Sequence, residues 1–336
     1  MPAPGSQQFT LFQTGKEATS GTLVAATRQW YPDGTGIINI DPMLAFHGGN
    51  RGTRTRTAYA SQKGIAVNLS YRSHPDVGVA WDELPIILNQ ADGGTVGSGA
   101  SANKTWTWAP AQAAAPTNAV SHSIEVGDDV QAYKFEYGMA RSFTLSAARD
   151  GMTQLSVDWF ARQPTKGAMA AVAPNSAVRI PGALWMPIFA TSQANLNSGG
   201  TATNFLLDWQ VQVTTGLEPR YYQDGTMYFG QAVASQPLNA DITLHVESTA
   251  LAISEFYDKW MARTVDFLRL KAIGPVLGSG NYSASLDFAL LYNSVKPIAS
   301  EVDGVNVYEI TAQSVYDTAW TQSMGGTVVC SGTAIP

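Results

Sequence analysis

The sequence predicts a mainly β protein built of two tandem β-sandwich or half-barrel modules, each with one flanking α-helix. Three observations carry this expectation. Short runs alternate apolar and polar residues, the period of a strand with one buried face. Turn formers, 31 Gly and 17 Pro, are spread evenly along the 336 residues and punctuate those runs. The order strand, helix, strands occurs twice.

Taken in chain order, a short early strand is expected at Ile38–Ile40 and a longer one at Ile65–Tyr71, where apolar and polar positions alternate cleanly. A helix follows near Trp81–Leu88, starting close to Trp81 because Pro85 is tolerated only in a first turn. Residues 91–101 are rich in Gly, Ser and Thr and read as a loop. Tyr133–Tyr137 and Leu155–Trp159 alternate again, and residues 161–175, with Pro164 and Pro174, read as a connector. After a loop at 192–204 come alternating runs at Asp208–Val213 and Asp241–Glu247. A second helix is expected over about 254–263. Ile253, Phe256, Tyr257, Trp260 and Met261 fall on one stripe of it, and such a stripe is expected to pack into the core.

The two halves repeat in pattern rather than in residue identity. The strand at Ile65 and the helix at Trp81 correspond to the strand at Ile242 and the helix at Phe256; Ile38 corresponds to Val211, Tyr133 to Val307 and Met152 to Met324. These landmarks are 172 to 177 residues apart. The expected organisation is a first module at 1–165, a connector at 166–182 and a second module at 183–336. Each module carries a long early excursion, Asp41–Gln62 and Thr214–Ala240.

Charged residues make up only 14% of the chain, against roughly 25% in typical soluble domains. With 10% aromatics, disorder is excluded as a class, and no uninterrupted apolar run approaches the ~18 residues of a membrane span. Low charge fits either a surface hidden against other copies or a neutral, Thr/Ser/Gly-rich β surface. A net charge of −6 does not suggest the basic face that tight phosphate-backbone binding calls for. One cysteine, Cys330, excludes an internal disulfide, and the start of the sequence does not read as a secretory signal, so folding in a cytoplasm is expected.

No constellation for catalysis stands out. His47, His74, His122 and His245 have no partner at metal-ligand spacing, and there is no nucleophile elbow or phosphate-binding loop. Asp208 and Glu218 are unremarkable among 26 acids as a glycosidase pair, and Cys330 reads as a small strand residue. No enzyme activity, cofactor or metal is expected. The one basic cluster, Arg51, Arg54 and Arg56 within Arg51–Thr57, reads as an inter-subunit or inter-ring contact or as a solvated hairpin edge.

Several stretches taken together carry a family resemblance. They are Gly15–Thr22, Ala25–Arg28 with Pro32, Asp92-Gly93-Gly94, Ser123–Val126 with Tyr137-Gly138, Asp150-Gly151, and Val315–Asp317. In this order they are similar to the tail tube (major tail) proteins of long, non-contractile-tailed bacteriophages of the siphovirus type. Apart from that Gly-rich turn, residues 91–122 and 183–204 match nothing diagnostic of the family. The resemblance implies tail-tube-type modules, six to a ring, with rings stacked into a tube through which DNA passes during ejection. A chain with two modules would form a ring from three copies. The implied partners are the chain itself, the tape measure protein, tail tip or baseplate and tail terminator proteins, and phage double-stranded DNA in transit without sequence-specific binding. No membrane insertion is implied. The place is the virion tail, assembled in the host cytoplasm.

In such a tube the polar strand faces are the candidate channel lining: Asn68, Ser70, Asp208, Gln210, Gln212, His245 and Glu247. The opposite faces, with Val67, Leu69, Trp209, Val211, Leu244 and Val246, pack the core. Three chains of −6 give a ring of −18, a sign that lets DNA slide rather than stick. The two excursions, the N-terminal arm and Ser331–Pro336 are expected to reach the next ring, disordered in the free subunit and ordered in the tube. The alternative reading is a β-rich carbohydrate-binding or adhesive surface module whose Trp and Tyr residues form sugar platforms.

Overall fold

The computed structural model describes residues 10–34, 37–46, 60–92, 96–99, 103–110, 120–128, 130–174, 176–198, 200–203, 205–302, 304–332 and 335. The chain is mainly β, as the alternation predicts. Eight strands form the sheet that organises everything else: β1 (Ile37–Asp41), β2 (Ala66–Arg72), β3 (Ala132–Ala148), β4 (Gln154–Gly167), β5 (Leu206–Thr214), β6 (Asn239–Glu247), β7 (Gly280–Val302) and β8 (Val305–Ser314). All pairings are antiparallel, and the spatial order is β1-β2-β4-β3-β5-β6-β8-β7. The first four strands and the last four therefore follow the same order.

β3 and β7 are long enough to serve two layers. The front of β3 stays paired with the end of β4 on one edge and on the other, beyond the reach of β5, pairs with His122–Gly127, which pairs with Leu11–Lys16 and then Arg28–Trp30. The front of β7 pairs with Asp266–Leu277, which pairs with Trp185–Ala190 and then Thr201–Ala202. Each half thus folds a second layer back over the first, and apolar side chains meet between them. One cluster of buried residues, running from Phe12 to Cys330, fills the space in both halves.

The repetition extends to irregularities. β3 slips register against β4 between Ala140 and Ser142, and β7 slips against β8 between Tyr292 and Ser294. Between β1 and β2, and again between β5 and β6, the chain makes a separate hairpin: Leu44–Phe46 with Ala60–Gln62, and Leu217–Arg220 with Gln231–Ala234.

Two landmarks of the expected repeat are displaced. By pairing, the strand at Tyr133 corresponds to β7 rather than to the strand at Val307, and the turn at Met152 to the β7–β8 turn rather than to Met324. The first half carries extra chain after its helix, so the offset shrinks from about 173 residues at β1 and β5 to about 152 at β3 and β7. Part of that extra chain is a hairpin of Val96–Ser98, which falls in the loop expected at 91–101, with Lys104–Trp108 beyond it. It pairs across the molecule with Met324–Cys330, Gly326 opposite Trp108, and so ties the halves together.

The other departures are local. Residues 161–167 continue β4 past the expected boundary at 165; Pro164 is accommodated at a bulge, next to Gln163 with φ 40°. The 192–204 segment holds a helical turn, Asn195–Ser198, and the short strand Thr201–Ala202. The first helix is Leu84–Asp92, with Pro85 in its first turn. The second runs from Ala250 to Ala262, but Ile253–Tyr257 is a π turn. The wider turn rotates the expected stripe off the core. Phe256 is buried, whereas Ile253, Tyr257 and Met261 are exposed, Met261 at 62%.

The 215–238 arm corrects a second expectation, since it is folded in the single chain. Leu217 and Phe229 are buried against Met139 and Phe160 of the first half. The Glu218 carboxylate meets the Arg141 guanidinium at 3.2 Å, and Ile65 N donates to the Met227 carbonyl at 2.7 Å. Gly216 makes the entry turn at φ 72°; a Cβ there would come 2.0 Å from the Gln236 carbonyl oxygen.

Candidate assembly edges and polar face

Alternation gives the eight-stranded sheet one apolar and one polar face. Directly paired residues share a face, so the register settles which residues stand together. Ser70, Asp158, Ser142 and Thr214 form one row across β2, β4, β3 and β5. Arg72, Ser156, Thr144, Gln212, Asp241 and Gln313 form the next. Gln154, Ser146, Gln210, Thr243 and Thr311 follow. Asn68, Ser70, Asp208, Gln210, Gln212, His245 and Glu247, chosen from alternation alone, all belong to this one face. Their opposites Val67, Leu69, Trp209, Val211, Leu244 and Val246 are all buried.

The face is polar but sparsely charged. Its acids are Asp41, Asp158, Asp208, Asp241, Glu247 and Glu309; its bases are Arg72, Lys296 and, from the register slip of β3, Arg141, whose guanidinium lies 3.4 Å from Asn68, with His245 able to charge. Ser, Thr, Asn and Gln fill most other positions. One row pairs its charges internally: His245 Nδ1 lies 2.5 Å from Asp208, and Lys296 Nζ lies 2.6 Å from Glu309. The Lys296 ammonium holds the Glu309 carboxyl below the usual carboxylate range.

At the centre of the sheet, β3 of the first half pairs with β5 of the second, Phe143 opposite Val213 and Leu145 opposite Val211. This joint is fully packed, with Phe143, Leu145, Val211 and Val213 each 1–2% exposed. The same edges recur at the two ends of the sheet, and there no described strand covers them. β1 is the positional equivalent of β5, because Asp41 pairs with Ala66 as Thr214 pairs with Asn239, each at the root of its hairpin. The far half of β7 is the equivalent of the far half of β3, aligned by the shared register slip. Ile40 occupies the place of Val213 but is 38% exposed, and Ile298 and Val302 on β7 are 68% and 46% exposed.

Sequence reasoning expected sheets that join edge to edge between copies but did not identify which strands carry the edges. The signal was present in Ile38 and Ile40, apolar residues on a strand too short to be buried from both sides. Arg51, Arg54 and Arg56 lie outside the described residues. Cys330 is buried in the strand Met324–Cys330, and burial pushes its thiol up to about 12. Among the described residues no group of three metal-capable side chains comes together, and no helix is long and apolar enough to cross a membrane. Seven of the nine tryptophans, Trp30, Trp81, Trp106, Trp108, Trp159, Trp185 and Trp209, are buried in the core and present no flat platform to a sugar. No family model matches the chain, and no curated protein matches it in sequence.

Proposed function

We propose that the protein is a structural subunit of a hollow tube, two modules to a chain, whose copies join edge to edge into a ring around the polar face. In line with the resemblance drawn from its sequence motifs, the tube is a phage tail tube that conducts double-stranded DNA. The observation that carries the reading is the β3–β5 joint: the chain makes one copy of the contact internally and leaves the two halves of the same contact open at the ends of the sheet.

Transferring the internal register fixes the joint between copies. Val295 stands opposite Ile40 of the next copy, as Phe143 stands opposite Val213, and Lys296 stands opposite Asn39, as Thr144 stands opposite Gln212. Eight strands is an even number, so the antiparallel alternation continues across each boundary. Closure also removes the two open edges, which are an aggregation hazard in a lone sheet. Six modules, the number the resemblance implies, come from three chains. Eight strands from each exceed the sixteen to eighteen that already leave an aqueous channel. Ser, Thr, Asn and Gln with a modest acidic excess line such a bore without binding phosphates.

The test is a pair of cysteines on the polar side of the new joint. Asn39→Cys with Lys296→Cys, mildly oxidised, is expected to give covalent trimers in closed rings under negative stain. Each single variant gives none. Monomers only, or linear polymers without rings, contradict the reading.

A further inference from the structure

We propose that a pocket at the seam between the two halves binds a small zwitterion of the aromatic amino-acid type that carries a hydroxyl on its ring. The site belongs to the single chain and stands apart from the ring reading above.

The pocket holds about 710 Å³ and is lined among others by Arg149, Met186, Thr203, Leu206, Trp209 and Glu247. Small-molecule sites run from about 300 to 1,000 Å³ and are mostly apolar, with a few polar groups that fix the ligand. Two such groups lie deep here. Trp209 and Thr203 are 3% and 7% exposed, and among the described residues neither the indole Nε1 nor the Thr203 hydroxyl has a hydrogen-bond partner. Trp185, edge-on to Trp209 with ring centres 5.0 Å apart, does have one: its N–H donates to the Thr153 hydroxyl at 2.8 Å. An indole N–H can only donate, and a buried donor left unpaired costs free energy. A single water takes up only about 30 Å³, so the space has room for a larger molecule with an oxygen at this depth.

Two charges of opposite sign flank the same pocket. Arg149 follows the end of β3, and its backbone N donates to the Leu207 carbonyl at 3.4 Å. Glu247 ends β6, and its backbone N donates to the Phe205 carbonyl at 2.9 Å. Both residues therefore stand beside the start of β5. Neither is in an ion pair among the described residues. A ligand carboxylate pairs with the Arg149 guanidinium, and a ligand ammonium with the Glu247 carboxylate. A simple anion or a simple cation meets one partner and is repelled by the other.

Spacing selects the body of the ligand. Leu207, beside Arg149, and Trp209 are two residues apart on β5. Two residues are about 7 Å of strand, the reach of an aromatic amino acid from its α-carbon to a hydroxyl para on its ring. With the charged end held by Arg149 and Glu247, that hydroxyl accepts from the Trp209 indole and pairs with the Thr203 hydroxyl. Met186, 38% exposed, and the half-buried Leu206 supply an adaptable apolar lining for the ring. An aliphatic amino acid leaves the indole unpaired, and a neutral sugar leaves both charges unpaired.

The experiment uses the full chain and four probes, L-tyrosine, L-phenylalanine, tyramine and 3-(4-hydroxyphenyl)propionate, with binding followed by titration calorimetry. Tyrosine is expected to bind, and each probe that lacks one of its three polar groups should bind about tenfold more weakly or worse. In Arg149→Gln, an exposed position, tyrosine should fall to the level of tyramine while tyramine is unchanged. Thr203→Val should narrow the gap between tyrosine and phenylalanine and leave phenylalanine unaffected. The site is overturned by a folded wild type that binds no tyrosine, by four probes of equal affinity, or by an Arg149→Gln chain that binds tyrosine as the wild type does. Assembly plays no part in this readout, so its outcome and that of the ring test are independent.

Discussion

The indole N–H of Trp260 donates to the carbonyl of Asn293 at 3.3 Å. Asn293 holds the slipped position of β7, and its counterpart on β3, Arg141, gives its carbonyl to the backbone N–H of Thr215 at 3.0 Å. The residue equivalent to Thr215 in the first half is Pro42, which has no N–H. In the proposed ring the strand that docks on β7 therefore lacks one donor, and Trp260 already fills its place. Trp260→Phe keeps an aromatic ring, though a smaller one, and removes that donor. It should leave the monomer nearly unchanged, where water reaches the open edge, and cost about 1 kcal/mol per joint in the ring. Ring dissociation followed against concentration checks this; an unaltered dissociation midpoint contradicts it.

Glu17 ties the outer layer together from a position 5% exposed. Its carboxylate accepts from Gly21 N at 2.7 Å, Tyr137 N at 2.8 Å, Ser121 Oγ at 2.6 Å and Ser123 Oγ at 3.0 Å. Glu17→Gln turns one oxygen into a donor that faces donors. A loss of roughly 2–3 kcal/mol in urea unfolding is expected. A loss under 0.5 kcal/mol would mean that the network rearranges freely.

Phe229 anchors the arm. Phe→Ala in a closed core costs roughly 3–5 kcal/mol. Here most of that cost falls on arm docking rather than on global folding. Amide exchange in Leu217–Ala234 should rise steeply in Phe229→Ala, with protection at Leu268 and Ile310 retained. Equal loss of protection everywhere would show the arm to be part of the main cooperative unit.

The polar face should tolerate charge in folding and not in function. Gln210→Lys combined with Gln212→Lys leaves the apolar face untouched, so assembly should persist. Three chains then add six cations to the bore, and linear duplex DNA should be retained with an affinity that falls steeply with salt. Salt-independent or absent retention argues for the outer surface as the location of this face.

Burial pushes the Asp266 carboxyl above the ordinary aspartate value, against the lowering influence of the Tyr292 hydroxyl and of Lys259, both of which donate to it. A folded value above the unfolded one means that the folded state binds more protons between the two. This contribution is complete below the unfolded value, near 4, and is lost as pH rises through the folded one. Relative to Asp266→Asn, the wild type should therefore lose stability from pH 4 upward. A difference that is flat or of opposite slope in unfolding measurements across pH 3 to 7 refutes the assignment.

Alternation made the strands legible because each buries one face along its length: β5 and β6 could be read residue by residue, and the seven polar-face positions followed. The π turn at Ile253–Tyr257 could not be read, since an extra residue per turn leaves the composition unchanged and moves the stripe. The hairpin at Val96–Trp108 was hidden for a different reason. Its Gly, Ser and Thr residues resemble a loop, and its partner strand, Met324–Cys330, lies more than 200 residues away. The displaced repeat landmarks share this cause, because a fixed offset cannot survive an insertion in one half. The arm concealed its order in residues that look solvent-bound until Leu217 and Phe229 meet Met139 and Phe160.

The β3–β5 joint bears on how rings would nucleate. One contact in every two is already made when the polypeptide leaves the ribosome and folds, at the high local concentration that a tether provides. Building a ring then takes two encounters between chains in place of five between single modules, the last contact closing within the assembly, and its rate depends on a correspondingly lower power of subunit abundance. In the proposed ring a two-module chain would in that sense be a pre-assembled intermediate, able to polymerise at concentrations at which single modules would stay apart.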